Sequence, residues 1–352
     1  MNTRETVAME DLRERLRELP CGRRLLDAAT GMAGVHLVGG AVRDLLLGRA
    51  PHELDVVVEG DIGRLAERLA DGEEAVAVAH ERFGTATVRA GDCRWDLAAA
   101  RAETYARPGA LPDVQPAGIE PDLRRRDVSV NALALDLATG ELRGAPHAEA
   151  DLAAGRLRVL HDASFLDDPT RLWRIARYGA RLGFALEEHT AQLAREAIAA
   201  GALDAVSGAR IGNELRLALT ETDPVAALEA AVALGLTPWP APDRALAERA
   251  LALLPDGEGR PDLLLLAATP AAPADAHLAD LQFSAAERAI VRAAVDAPQL
   301  DDAPRAPSEL ARLLRGRPVE AVALAGARGT GEQAARRWLA QLRHTGLQIT
   351  GD

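Results

Sequence analysis

Glu53, Leu54 and Asp55 form an acid-x-acid triplet that opens an apolar run ending at Val58. Alternate residues on a strand share a face, so the two carboxylates point the same way. Upstream, Val35–Val38 reads as a short strand that runs into Gly39-Gly40 and then into AVRDLLLG, a helix closed by Gly48. Adjacent glycines at such a turn let backbone N–H groups approach phosphate oxygens, and a helix N-terminus favours anions. Two carboxylates beside a phosphate loop suit a two-Mg²⁺ phosphoryl or nucleotidyl transfer: one ion activates a hydroxyl, the other holds a triphosphate and the departing pyrophosphate. A solvent-facing strand edge with a Gly-Gly turn has the same spelling. Asp96 lies in a further strand candidate, Arg94–Ala98. If that strand neighbours the first, three carboxylates converge, and Asp96 serves as a metal ligand or as base for a ribose hydroxyl. If not, it is a solvated strand residue.

A second set is spaced for a helix. Asp168, Arg171, Arg174 and Arg177 recur every three residues and drift slowly along one face. An aspartate accepts from an exocyclic amine and an arginine donates, so the pair can present an edge complementary to cytosine or adenine. The further arginines can neutralise phosphate. The plain alternative is a solvated, salt-laced helix face.

The elements that must hold these groups divide the chain. Residues 6–30 have the leucine spacing of a helix, and residues 61–70 are helical. Val76–Ala79, Thr85–Ala90 and Arg94–Ala98 alternate like strands. Residues 106–121 are rich in Pro and Gly and read as a long loop, and Val128–Leu137 reads as another strand or a helix-to-strand segment. The first 150 residues are therefore α+β around a mixed sheet. From Asp167 onward the pattern is helical: 168–182, 188–200, 208–220, 224–234, 243–254, 285–295, 308–315 and 330–344.

The 352 residues carry 41 basic and 53 acidic side chains, for a net charge of −12, and every basic residue is Arg. Such a balance argues against a protein that coats nucleic acid nonspecifically, but not against a local Arg grip. Residues 151–220 are neutral, while 1–150 carry −7 and 221–352 carry −5. Aromatics are 3% and alanine is about a fifth of the chain, so the core must be small and aliphatic. Cys21 and Cys93 read as reduced thiols of a cytoplasmic protein. The charged N-terminus has no apolar signal region, and no apolar run is long enough for a membrane span.

Taken in order, the motifs resemble those of the class II tRNA nucleotidyltransferase and bacterial poly(A) polymerase family. LVGGAVRDLLLG with ELDVVVEG resembles the head motif with its metal-binding acids. HERFGTATV resembles the following strand pair. WDLAAARAETYARPGALPDV resembles the segment with a third acid and a flexible loop. DLRRRDVSVNALALDL resembles the ribose-recognition motif, FLDDPTRLWRIARYGARLGF the neck motif and VSGARIGNEL the last neck helix. The resemblance is strong over residues 30–220 and weaker through the helical body.

It implies an α+β nucleotidyltransferase head with a mixed β-sheet, then an all-helical neck and body, with the tail short or absent. The divisions are an N-terminal helix (1–30), a catalytic head (31–150), a nucleotide-selecting neck (151–220) and a body with a shortened tail (221–352). It implies addition of C and/or A from CTP and ATP to tRNA 3′ ends, with release of pyrophosphate, in a cytoplasmic enzyme. Glu53 and Asp55 would hold Mg²⁺ or Mn²⁺, with Asp96 as third acid. Gly39, Gly40 and Arg43 match the triphosphate side; Arg126, Asp127 and Asn131 match ribose and nucleotide contacts. Asp168 and Arg171 match the base-reading pair, and Arg174 and Arg177 match neck residues near the triphosphate.

Three positions depart from the family pattern. Glu53 stands where the family has Asp, one methylene longer, at a site where Mg²⁺ demands near-ideal geometry. Asp167 replaces a glutamate before Asp168, weakening an orienting contact to Arg171. The segment after Gly140 lacks the usual aspartate and paired glycines, leaving the hinge between head and neck less well set. QITGD at the end resembles the start of a motif that relatives continue, hence the short tail. The retained loop at 101–120 leans away from CC-only addition. A poly(A) polymerase, or a catalytically weak tRNA-binding paralogue, remain as alternatives, and nothing in the sequence sets an oligomeric state.

Overall fold

The computed structural model describes residues 11–51, 53–71, 75–80 and 84–345. Two compact units divide the chain: Met1–Arg171 with Leu182–Ala205, and Leu172–Arg181 with Val206–Asp352.

The first unit opens with α1 (Asp11–Glu18) and α2 (Pro20–Ala28). The single helix expected over 6–30 is thus two, because Pro20 has no N–H to continue α1 but suits the first turn of α2. Residues 6–10 lie outside the described residues. There follow β1 (Val35–Val38), α3 (Gly40–Leu46), β2 (Leu54–Val58), α4 (Gly63–Leu69), β3 (Ala75–His80), β4 (Thr85–Ala90) and β5 (Cys93–Ala99). Glu81–Phe83 of the HERFGTATV segment also lie outside the described residues. Next come β6 (Arg101–Thr104), β7 (Asp113–Pro116), α5 (Ile119–Arg124), β8 (Leu133–Asp136), β9 (Leu142–Gly144), α6 (Ala148–Ala154), β10 (Arg156–Leu157) and α7 (Ser164–Asp167). A helix α8 (Arg171–Leu182), a short β11 (Ala185–Leu186) paired with β10, and α9 (Glu188–Ala199) complete this part of the chain.

Among the described residues the main sheet has seven strands in the order β3-β4-β5-β2-β1-β8-β9. Its β2–β5 pair is parallel and its other pairs are antiparallel, the mixed sheet expected. One face buries Leu54, Val56, Val88, Trp95 and Leu97, against which α2 and α4 pack. The opposite face buries Val38, Val57 and Ala134 beneath Ile119 and Leu123 of α5.

The stretch 106–121 is not a plain loop. Asp113–Pro116 pairs with Arg101–Thr104 as a two-stranded ribbon, and α5 begins at Ile119. All four β7 residues are exposed, so no apolar alternation marks the strand, and Pro116 is tolerated at its edge. The segment after Gly140 forms β9 and α6 by placing His147 at φ 67, a left-handed conformation that glycine would adopt more cheaply.

The expectation of two reduced thiols is overturned: Cys21 of α2 and Cys93 of β5 form a disulfide. Their separation of 72 residues hid the pairing, which the docking of α2 on β5 creates. Trp95, fully buried, donates its Nε1–H to Cys21 O at 3.1 Å, and Arg24 lies over its ring at 5.7 Å.

The second unit is helical: residues 172–181 of α8, then α10 (Gly208–Leu219), α11 (Pro224–Ala233), α12 (Arg244–Leu251), α13 (Pro261–Ala267), α14 (Asp275–Asp280), α15 (Ala285–Val295), α16 (Pro307–Leu314), α17 (Val319–Arg328) and α18 (Glu332–Ala340). Helices α13 and α17 carry no amphipathic period to read, because Leu263–Ala267 and Ala321–Ala327 are buried all round. A Cβ on Gly326 would meet Ala335 Cβ at 2.5 Å, so α17 and α18 approach through small residues. Asp223, Asp243 and Ser284 cap the helices that follow them. The QITGD segment lies outside the described residues. No helix among the described residues is long and apolar enough to cross a membrane.

Cleaving the Cys21–Cys93 link should cost about 2–4 kcal/mol, since it closes a long loop of the unfolded chain. Melting curves with and without dithiothreitol, and for Cys21→Ser, test this. A midpoint indifferent to reduction would refute it.

Candidate active site

The parallel register of β2 and β5 places Asp55 directly opposite Asp96, and the antiparallel register of β4 and β5 places Thr87 opposite Asp96. The three side chains therefore share one face of the sheet. The adjacency required for the carboxylates to converge is present. Thr87 Oγ1 donates to Asp96 Oδ1 at 2.6 Å, and Arg94 Nη2 lies 2.8 Å from Asp96 Oδ2. Glu53, exposed just before β2, has Oε1 3.5 Å from Arg94 Nη1.

Asp55 is different. No hydrogen bond among the described residues reaches its carboxylate, and burial raises its pKa above the ordinary value. Arg126 opposes that shift, while Glu53 and Asp96 add to it. Asp55, Asp96, Thr87, Arg125 and Arg126 line a cleft of about 290 Å³ on this face. Among the described residues, no three carboxylate, imidazole or thiol groups close on a common point. The donor set still fits a divalent cation: all three acids offer oxygens, half-buried Asp55 accepts no hydrogen bond among the described residues, and a guanidinium already bridges the other two.

The Gly39-Gly40 turn is shaped by two arginines. Gly39 has φ 69, and a Cβ there would meet Arg126 Nη1 at 2.8 Å; a Cβ on Gly40 would meet Arg43 Nη2 at 3.3 Å. Arg43 is buried and donates to Asp44 Oδ1 at 2.9 Å and to Asn131 Oδ1 at 2.6 Å. Asn131 Nδ2 donates in turn to Asp127 Oδ1 at 3.2 Å, which also accepts from Val128 N. Gly39, Gly40, Arg43, Arg126, Asp127 and Asn131 are thus one connected group.

Several residues attached to this group were not singled out in the sequence. Asp122 is fully buried and accepts from Arg125 at 2.7 Å, from Arg126 at 3.1 Å and from Arg101 N at 3.3 Å. Glu103 of β6 accepts from Arg125 and Arg101 and from Tyr105, whose hydroxyl is pushed up to about 12, chiefly by burial. Arg124-Arg125-Arg126 alone reads as a charge run; the i, i+3 and i, i+4 spacing from Asp122 was the available signal. For Arg94, alternation with Asp96 along one strand was the signal; Thr87 meets Asp96 only through the β4–β5 register, which local pattern does not give.

Asp168 Oδ1 accepts from Thr170 N and Oγ1, at 3.1 and 2.6 Å, and shapes the entry to α8. Arg171 is buried; it donates to Ser164 Oγ at 2.7 Å and to Arg125 O at 2.8 Å, so it fastens α8 to the end of α5. Arg174 and Arg177 belong to the second unit. There Arg174 Nε donates to Tyr178 Oη at 3.3 Å, and Arg177 pairs with Glu214 and, at 3.0 Å, with Glu221.

A mixed sheet that displays acids on adjacent parallel strands beside a Gly-Gly turn and a cluster of arginines defines a nucleotidyltransferase-type head. Residues 35–158 match the poly A polymerase head domain. The chain is 42% identical over 224 residues to the A-adding tRNA nucleotidyltransferase of Geobacter sulfurreducens, covering 62% of this chain and 26% of that protein. It is 44% identical over 193 residues to the CC-adding tRNA nucleotidyltransferase of Deinococcus radiodurans, covering 53% of this chain and 50% of that one. A solved structure described as a CCA-adding enzyme, apo form II, superposes with a TM-score of 0.74 at 26% identity, over 99% of this chain and 87% of that one. Over these stretches the chain is similar to the class II tRNA nucleotidyltransferase and poly(A) polymerase family. It spans half or less of the length of the two curated relatives described. Members of the family generally use a divalent metal.

In the metal-free protein the raised pKa of Asp55 sets a sign. Between the unfolded value and the raised folded value the native state binds the extra proton, so stability falls as pH rises through that window. Asp55→Asn should therefore raise the melting midpoint at neutral pH in chelator. An unchanged or lower midpoint would contradict the burial cost assigned to this carboxylate.

Proposed function

We propose that the chain is a divalent-metal-dependent, template-independent RNA nucleotidyltransferase that adds C and/or A from CTP and ATP to tRNA 3′ ends, releasing pyrophosphate. The observation that carries this reading is the Asp55–Asp96 pairing across β2 and β5, with Glu53 at the same edge and the Arg43/Arg126 turn beside it. The names of the relatives supply the tRNA and the nucleotides. We place the reaction in the cytoplasm, where those substrates are made.

Glu53 and Asp55 would hold the metal, with Asp96 as third ligand or base. Bound there, Mg²⁺ or Mn²⁺ supplies a Lewis acid that polarises phosphate oxygens and lowers the pKa of the attacking hydroxyl. The chain's residues do the positioning. The RNA 3′-oxygen attacks the α-phosphorus, the bond to the β-phosphate oxygen breaks, and the hydroxyl proton passes to Asp96 or to solvent. Thr87 and Arg94 fix the Asp96 carboxylate from two sides. Gly39, Gly40 and Arg43 are assigned to the triphosphate side, and Arg126, Asp127 and Asn131 to the ribose and nucleotide contacts. Asp168 and Arg171 are assigned to the base edge, and Arg174 and Arg177 to the triphosphate.

The direct test is extension of tRNA ending at the discriminator base, or at the first or second C, with labelled CTP or ATP alone and together. Addition of one to three residues is expected. A long homopolymer would mean poly(A) synthesis, and no incorporation in Mg²⁺ or Mn²⁺ would sink the proposal. Loss of one metal carboxylate removes several kcal/mol of transition-state stabilisation, so Asp55→Asn should lower turnover by at least about a hundredfold. Glu53→Asp, which restores the shorter side chain, should raise turnover in Mg²⁺ more than in Mn²⁺; a fall in both metals would show that the longer acid is required.

A further inference from the structure

We propose that Arg94 is a resident counter-cation of the carboxylate cluster, and that a divalent ion loads at Glu53, Asp55 and Asp96 by displacing its guanidinium. The inference rests on the reading of these carboxylates as the metal-holding groups. It concerns a residue that the motif comparison leaves without a role.

One guanidinium spans two acids: Arg94 Nη2 lies 2.8 Å from Asp96 Oδ2, and Nη1 lies 3.5 Å from Glu53 Oε1. Arg94 and Asp96 are two apart on β5, so their side chains stand on the same face as Asp55. The arginine takes up carboxylate lone pairs that an ion would need, and its charge repels an incoming cation at the same edge. Glu53, one methylene longer than aspartate, has the reach to meet it.

Only the side chain has freedom to move. The backbone of Arg94 is paired with Arg89 of β4, and the preceding residue, Cys93, is covalently tied to Cys21. The side chain itself is 44% exposed, with solvent to receive it. An ion pair this exposed is weak, so a divalent ion that gains all three acids can outcompete it. Arg94 thus offsets the carboxylate charge at this edge while the metal is absent, and sets a threshold for metal entry.

Mn²⁺ binding to metal-free protein, without nucleotide, tests this through loss of the free-ion electron paramagnetic resonance signal. The proteins compared are wild type, Arg94→Gln, Arg94→Lys and Asp55→Asn, each checked by circular dichroism. Arg94→Gln should tighten Mn²⁺ binding by about three- to tenfold. Arg94→Lys keeps the charge and should stay within about twofold of wild type. Asp55→Asn should lose the site. If Arg94→Gln binds Mn²⁺ no more tightly than wild type while Asp55→Asn loses it, the counter-cation proposal falls and the carboxylate reading stands. Equal tightening in Arg94→Lys also overturns it, since charge would then not be the cause. If Asp55→Asn binds as wild type does, both fall together.

Discussion

The parallel pairing of β2 with β5 is the constraint on which the first unit turns. It sets Asp55 opposite Asp96 on one face of a sheet that is otherwise antiparallel. Like charges opposite one another destabilise a sheet, and burial of Asp55 adds to the cost. That arrangement persists because the surroundings compensate it. Thr87 and Arg94 take Asp96 from either side, and Arg126 acts on Asp55. Arg126 in turn needs Asp122, and Asp122 needs α5 to be docked over Val38, Val57 and Ala134.

The arginines of this lysine-free chain are used mostly as fasteners with fixed geometry. Arg43 links the Gly-Gly turn to Asn131, Arg125 links α5 to β6, and Arg171 links the start of α8 to the end of α5. A planar guanidinium can make several directed bonds at once, which an ammonium cannot do in the same plane. The same holds in the second unit, where Arg177 meets two glutamates. The net charge of −12 therefore says little about the cleft, whose cationic groups are placed individually.

The second unit solves a different problem. With few aromatics available, it buries small aliphatic faces and brings helices close, as α17 does against α18 at Gly326. Helices that bury every side show no period, which is why the α13 and α17 segments were not legible while the capped, amphipathic α15 matched its expected 285–295 range.

Local pattern alone determined the Val35–Val38 and Leu54–Val58 strands, the acid-x-acid triplet, the Gly39-Gly40 turn and the helical second half, because each depends on residues a few positions apart. It could not decide the partner of Cys21, the ribbon formed by Asp113–Pro116, or the meeting of Thr87, Arg94 and Asp96 with Asp55. Those features depend on strand order, helix docking and burial, which join residues far apart in the chain. A carboxylate's surroundings, and hence its charge, are properties of that assembly; the sequence names the acid, and the tertiary structure decides what stands beside it.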